Sequence, residues 1–447
     1  MKLSFAFVLL TLTSFAQHNK HWDVSAFKRV TFPAASVGVG CLNTTEGVAC
    51  ISDASGTFLF STDGVTVKDR LCNTMPNGTG LFGGISSTQS AVIVPLPNSS
   101  TIYYVFTADQ QGGNLGIHYS IVDMSLNGSF GAVTLKNVPL APWEMSEKLC
   151  AVKHCNNRDV WVISKGWMVN TFTTWLLTPT GITTTTATNI GYTPMPSNGS
   201  TTGKIGQLKA NAQGTMLAAA YYGVGADGGN RVEVYSFNNT TGSVTSLLLN
   251  SALPRVYGVE FSSDGSRLYA STNTGDLYQY DVCNAFNRQI IISMGAFGGS
   301  IQNAIDGRMY IARGAGGSWL AAINNPNGLG ASCGFVLNAV NLTSNTLFGL
   351  PNFVSSYNRV DVTQFNYIVN CNDVTLLPPT LPNNACSPLV ASMRWEKPLG
   401  NVVGANLTLP NGIHNVSLII DYTCYSDTIT QMINVGGLLP LPNVITY

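Results

Sequence analysis

Along most of this chain apolar and polar positions alternate in short runs, and the runs are broken by clusters of Asp, Asn, Ser and Gly. Successive side chains of a strand point to opposite faces, so the pattern predicts short, half-buried strands joined by tight turns. The fullest case is VYGVEFSSDGSRLYASTNTGDLYQYDV, residues 256 to 282. Val256, Val259 and Phe261 lead into a turn at Ser262-Ser263-Asp264-Gly265. Leu268 to Ser271 follows, then a second turn at Asn273 to Asp276, then Leu277 to Tyr280. That is most of one four-stranded antiparallel meander, and such a sheet cannot bury both faces by itself.

The chain supplies copies for it to pack against. Comparable turns fall at Asp53 to Gly56, Pro97-Asn98-Ser99, Asn156-Asn157-Arg158, Gly214 and Asp306-Gly307, each flanked by strand-like runs. Gly214, Gly265 and Gly307 lie 51 and 42 residues apart (265 − 214 and 307 − 265). A repeat of about 40–50 residues built from four strands predicts an all-β fold of β-propeller type. Six units are plain. Residues 24 to 40 and 345 to 370 are expected to combine into one more, giving seven blades, with six as the alternative; closure into a ring protects the edge strands. The propeller is expected over residues 17–370.

Beyond Asn370 the composition changes. Residues 371–385, with DVTLLPPTLPNNA, read as a Pro-rich linker into a small β-sandwich of PKD or immunoglobulin-like type at residues 386–436, or from 371 if the linker belongs to it. Leu389 to Trp395, Leu407 to Leu409, Val416 to Tyr422 and Asp427 to Val435 are its strands. Cys386 and Cys424 suit an inter-sheet disulfide beside Trp395. Residues 437–447 are a tail.

Composition narrows the classes of partner. There are 22 basic and 22 acidic residues, and only 10% of the chain is charged. Without a concentrated basic surface, nucleic acid and anionic membrane are excluded as electrostatic partners. Residues 1–16, with Lys2, an apolar run from Leu3 to Leu12 and Ser14-Phe15-Ala16, have the features of a secretory signal, making Gln17 the first mature residue. No later apolar run reaches the length of a membrane-spanning helix. All ten cysteines follow the signal, where disulfides persist. Sequons such as Asn43, Asn77, Asn98, Asn341 and Asn406 would carry glycans in a eukaryotic secretory route, but in a chain this rich in Asn, Ser and Thr they read as chance matches.

A set of motifs extends the picture: GVACISDASGTFLFSTDG, MPNGTGLFG (Met75 to Gly83), SSTQSAVIVP (Ser86 to Pro95), HYSIVDMSLNG, EKLCAVKH (Glu147 to His154) and GLPNFV (Gly349 to Val354). Together they resemble secreted proteins of Bacteroidetes in which a WD40-like propeller precedes PKD-type modules and a gliding-motility-associated C-terminal domain. The resemblance implies a secreted or cell-surface location and a binding or adhesion role. Trp395-Glu396-Lys397-Pro398 departs from the usual PKD turn, and PNVITY (Pro442 to Tyr447) resembles the start of the last domain.

Candidate chemistry is sparse. Gly223 to Gly228 fits G-x-G-x-x-G, but a strand follows where a dinucleotide site needs a helix N-terminus, so a hairpin loop is expected. Gly330 to Gly334 fits G-x-S-x-G, also before a strand rather than a helix, and reads as a turn. Cys150, His154 and Cys155 lack a second ligand pair for zinc, and a disulfide or buried thiols are expected. His18 and His21 read as solvated tail. His118 falls in a strand, and Asp53, Asp63, Asp264 and Asp306 fall in turns as backbone caps. Tyr103, Tyr104, Trp161, Trp175, Tyr269, Tyr278 and Trp319 suit packing between blades. No catalytic, cofactor-binding or metal residue is assigned. The expectation is a non-catalytic protein binding an extracellular glycan or protein through propeller loops. The alternatives are a propeller enzyme of lyase, lactonase or glycosidase type with its site at the central channel, and an architectural spacer.

Overall fold

A computed structural model of the chain describes residues 17–111, 113–141, 145–194, 203–223, 229–293, 298–314, 317–345, 347–358, 364–370, 372–379, 390–397, 401–422 and 426–435. They fall into two compact units, one within 17–358 and one within 364–435. Among them helix is confined to three short 3-10 turns, and the expectation of an all-β chain is met.

In the first unit six four-stranded sheets follow one another, at residues 49–79, 91–141, 145–189, 208–252, 256–293 and 298–341. Each is an antiparallel meander like a propeller blade, with consecutive strands as neighbours. Burial falls across each sheet. The first strands Ala49–Ser52, Val256–Phe261 and Gly298–Asn303 are wholly buried, whereas the last strands Ser243–Ala252 and Asn287–Ser293 are mostly exposed. The sheets therefore stand with their first strands inward.

The turns read from the sequence share one device. A short polar side chain accepts backbone N–H groups two to five residues ahead, an arrangement that fixes a tight reversal without help from the next strand. Asp53 takes Ser55 and Thr57, Asn211 takes Thr215 and Met216, Asp264 takes Ser266, and Asp306 takes Arg308. Gly214, Gly265 and Gly307 follow in the left-handed conformation these turns require.

Apolar clusters join each sheet to the next. Phe60 and Val105 link the first and second, and Phe106, Leu149 and Trp175 the second and third. Trp161, Leu217 and Tyr235 link the third and fourth, Val234, Val259 and Tyr280 the fourth and fifth, and Tyr269, Ile301 and Ile311 the fifth and sixth. One further cluster contains Tyr310 and Leu320 of the sixth sheet, Trp22 and Phe32 of a three-stranded N-terminal sheet (His21–Val24, Lys28–Thr31, Ser36–Val39), and Val48 and Phe58 beside and within the first. The succession thus closes on itself. Trp22, fully buried, packs on Phe32, Tyr310 and Phe353 with ring centroids 4.7, 5.9 and 6.0 Å away. Burying a large apolar side chain of this kind contributes about 2–3 kcal/mol.

Residues 24 to 40 and 345 to 370 do not combine into one sheet as expected. The N-terminal strands pair only with each other. Residues 347–358 form a strap along the inner edges of the first strands, where backbone groups have no neighbour in their own sheet. The Phe348 amide donates to the Thr45 carbonyl (3.1 Å), the Ser300 amide to the Phe348 carbonyl (2.8 Å), and the Asn352 amide to the Val48 carbonyl (2.9 Å). Single parallel bridges join Pro351 to Val48 and Val354 to Ala151. Asn366–Asn370 pairs instead with Asp373–Leu377, inside the second unit and within the stretch read as linker.

A disulfide between Cys41 and Cys72, 31 residues apart, ties the chain leaving the N-terminal sheet to the first sheet. Beside it the buried Asp23 carboxylate accepts from Arg29 (2.6 and 3.0 Å), Ser61 (2.7 Å) and the Cys41 amide (3.2 Å). Cys283 is also disulfide-bonded. Cys386 and Cys424 lie outside the described residues, as do residues 1–16 and the tail.

In the second unit a three-stranded sheet (Asn366–Asn370, Asp373–Leu377, Asn406–Thr408) and a four-stranded one (Val390–Lys397, Asn401–Val403, Gly412–Tyr422, Ser426–Val435) share one apolar cluster. Trp395 lies in it, edge-on to Phe365 at 4.7 Å.

Candidate functional site

The first strands converge, and three amides fasten them where they meet. Gln89, just before the second sheet, accepts the Leu149 and Leu208 amides (3.2 and 2.7 Å) and donates to the Leu208 carbonyl (3.0 Å). Gln207 accepts Val259 and Ile301 (3.2 and 3.0 Å). Asn352 of the strap donates to the Ala91 and Leu149 carbonyls (3.3 and 2.7 Å) and accepts from Gln89 (3.3 Å). All three side chains are buried. Between them they pair backbone groups that would otherwise be unpaired in the interior, and Gln89 uses both the donor and the acceptor of its carboxamide to do so.

At the end of this axis where the first strands begin lie the titratable groups. Glu147 is fully buried in Met145–Lys153, and the Thr88 amide and hydroxyl donate to its Oε2 at 2.8 and 2.6 Å. Burial raises its pKa, which those two bonds and the charges of Lys148 and Lys204 oppose. Glu46, 8% exposed, is pushed up to about 8 by burial and then by the Glu147 charge. The Tyr257 hydroxyl faces Glu46 and Thr88 yet closes a hydrogen bond with neither. Burial and the two carboxylates raise its pKa far above the usual phenol range. Glu46 Oε2 and Glu147 Oε1 are likewise buried without partners among the described residues.

Lys148, the residue after Glu147, bonds backbone carbonyls. Its ammonium donates to the Gly203, Lys204 and Ile205 carbonyls (3.0, 3.3 and 2.9 Å), and burial lowers its pKa to about 7. Lys165 is lowered to about 7 for the same reason and donates to the Val169 and Tyr192 carbonyls. Lys204 lies 4.6 Å over the Trp167 ring. At the lower part of the axis Lys209 meets Gln302 (2.5 Å) and Glu260 (3.4 Å). Around the same end as Glu46 and Glu147, loop side chains reach solvent: Phe82, Ile85, Met168 and Val169 are all more than a third exposed.

The residues singled out from the sequence do not gather here. His118 is buried edge-on against Phe82 at 5.1 Å, and burial lowers its pKa. His154 sits in a turn of the third sheet, against Thr240 and Trp161. Cys150 is a buried thiol, the Cys155 sulfur meets the Thr240 hydroxyl at 3.4 Å, and no disulfide joins the two. His18 and His21 are not a solvated tail. His18 Nδ1 bonds the Ser52 carbonyl (2.8 Å), and His21 bonds Thr31 Oγ1 and the Gly56 carbonyl (2.9 and 3.1 Å), because the N-terminal sheet seats them against the first sheet. Of the G-x-G-x-x-G run only Gly223 is described; its flanking strands Met216–Tyr221 and Arg231–Asn238 pair antiparallel as a hairpin. Gly330–Cys333 is a 3-10 turn before the strand Phe335–Asn341, with the Ser332 hydroxyl on the Leu329 carbonyl. Among the described residues no group of three His, Cys, Asp or Glu side chains could hold a metal ion, and no helix is long and apolar enough to cross a membrane.

No family model matches the sequence, and no curated protein matches it significantly. Solved structures do. A candidate 6-phosphogluconolactonase of Bacteroides fragilis NCTC 9343 is 12% identical over 88% of this chain and 96% of its own, with a TM-score of 0.40. Streptogramin B lyase is 10% identical over 69% and 86%, TM-score 0.37. A functionally unknown protein of Desulfotomaculum acetoxidans DSM 771 is 12% identical over 62% and 75%, TM-score 0.36. The similarity is to β-propeller proteins. At these identities and scores it carries no activity across to this chain.

Proposed function

We propose that the protein is a secreted or cell-surface, non-catalytic binding protein. In this reading the first unit is a seven-bladed β-propeller, the second a PKD-like module, and the rim loops recognise an extracellular glycan or protein. The observation that carries it is the use made of the centre. Gln89, Gln207, Asn352 and one oxygen of Glu147 are spent on the ring's own backbone and hydroxyls, and both carboxylates are nine-tenths buried or more. Contact with a partner then falls to loops on a rigid frame. Phe82 and Met168 are the side chains to alter first. The test is a glycan array and an extracellular-protein panel probed with wild type and with Phe82→Ala/Met168→Ala. Binding lost in the variant supports the reading; binding untouched by rim substitutions, or none at all, counts against it.

The second reading, an enzyme with its site at the centre, is favoured by the raised pKa of both carboxylates at one end, since tuned acid–base pairs occur at catalytic sites. Turnover of a lactone or glycoside that disappears in Glu147→Gln would establish it in place of the first.

A further inference from the structure

The strap begins against the Glu46 main chain and the Tyr257 ring. The Phe348 amide and carbonyl are held by Thr45 and Ser300, and the Phe348 ring packs on Tyr257 at 5.5 Å. Gly349 lies so close to the Glu46 backbone that a Cβ there would fall 1.4 Å from the Glu46 carbonyl oxygen. Displacing Glu46 therefore displaces Phe348 and Gly349. Glu46 in turn faces Glu147, Tyr257 and Ser86, with no cation among its own partners, and the lysines near Glu147 are Lys148 and Lys204.

We propose that Glu46 and Glu147 form a proton-operated latch on the strap: with one proton between them the strap is held at Phe348 and Gly349, and when both carboxyls ionise their repulsion releases it. Two carboxylates sharing a poorly solvated space cannot both be charged without cost. Glu147 Oε2 is held by Thr88, but Glu46 Oε2 and Glu147 Oε1 have no partner among the described residues, so the pair has few hydrogen bonds with which to spread a second charge. Burial and the Glu147 charge raise the Glu46 pKa to about 8, against an ordinary value near 4.5 once the strap opens. The latched state binds the extra proton between those values, so its advantage is complete at low pH and is lost as pH rises. Lys148 and Lys165 titrate in the opposite sense, gaining as they become neutral. Their ammonium groups rest on carbonyls of residues 203–205, 169 and 192, none of them in the strap. Lys204 is lowered by burial and faces Glu147 and Asp109.

The test is hydrogen exchange of peptides within 347–358, with opening constants corrected for intrinsic exchange, from pH 5 to 9. Wild type is expected to open about tenfold more per pH unit up to about pH 7 and to level off above about 8, as one-proton linkage requires. Glu46→Gln removes the slope, and Glu147→Gln moves the levelling-off to lower pH by about one unit or more. The strand Ile102–Ala108 serves as the reference for global opening. A pH-independent strap in wild type, or an unchanged slope in Glu46→Gln, overturns the proposal. Should Glu46→Gln fail to fold, Glu147→Gln decides alone: an unmoved profile refutes the latch.

Discussion

Asn352→Ala tests whether the strap closes the ring. The side chain is 3% exposed and makes three hydrogen bonds, to the Ala91 carbonyl (3.3 Å), the Leu149 carbonyl (2.7 Å) and Gln89 Nε2 (3.3 Å). Each is worth about 1 kcal/mol net, and a buried group left unpaired costs about 1–3 kcal/mol more. Gln89 keeps its bonds to Leu149 and Leu208, so the loss is partial there. The expected destabilisation is about 3 kcal/mol, a large share of the roughly 5–15 kcal/mol that holds a domain folded. Urea unfolding followed by tryptophan fluorescence suits the measurement, because Trp22 packs on Phe353 of the strap. Asn250→Ala, on an exposed outer strand, should stay within about 0.5 kcal/mol of wild type. If Asn352→Ala matches that control, the strap is ornament and closure resides in the apolar clusters alone.

Gly349→Ala should cost more than about 4 kcal/mol or abolish soluble expression, since the new methyl meets the Glu46 main chain rather than a movable side chain. Gly38→Ala, with nothing within 4 Å of the added carbon, is the matching control by thermal melting. His18 and His21 have pKa values lowered by burial, so the folded state resists protonating them. Their contribution is complete above about pH 6.5 and is lost as pH falls through that value toward the folded pKa. Melting temperatures recorded from pH 7 to 5 should decline less steeply in His18→Gln/His21→Gln than in wild type.

The sheets were legible because each turn carries its own local signal. Asp53, Asn211, Asp264 and Asp306 bond amides only a few positions ahead, so the reversal is written within a handful of residues. The centre is written differently. Glu46, Glu147 and Tyr257 come from three separate sheets or their approaches, and no spacing rule connects them. A hint exists in Met145–Lys153, where Glu147-Lys148 directly precedes the apolar run Leu149 to Val152 in a chain with only 10% charged residues. Gln89, Gln207 and Asn352 offer no such hint, since a carboxamide in a loop is usually solvated. The strap was misread as sheet because residues 345 to 370 were assigned to a seventh unit that would close the ring, whereas its backbone partners lie from 48 (348 − 300) to 304 (352 − 48) positions earlier. His18 and His21 were misplaced for a related reason: their acceptors Ser52 and Gly56 are more than 30 residues away.

The strap also bears on how the chain is made. Asn352 reaches back 203 residues to Leu149 and 261 to Ala91, so those bonds cannot form until nearly the whole ring has left the ribosome. Each earlier sheet can complete its own local pairing during synthesis, but the inward edges wait, and contacts of such long sequence separation form slowly. Nascent chains stalled before Phe348 should therefore hold finished sheets around an unsealed hub, the species on which a chaperone would act.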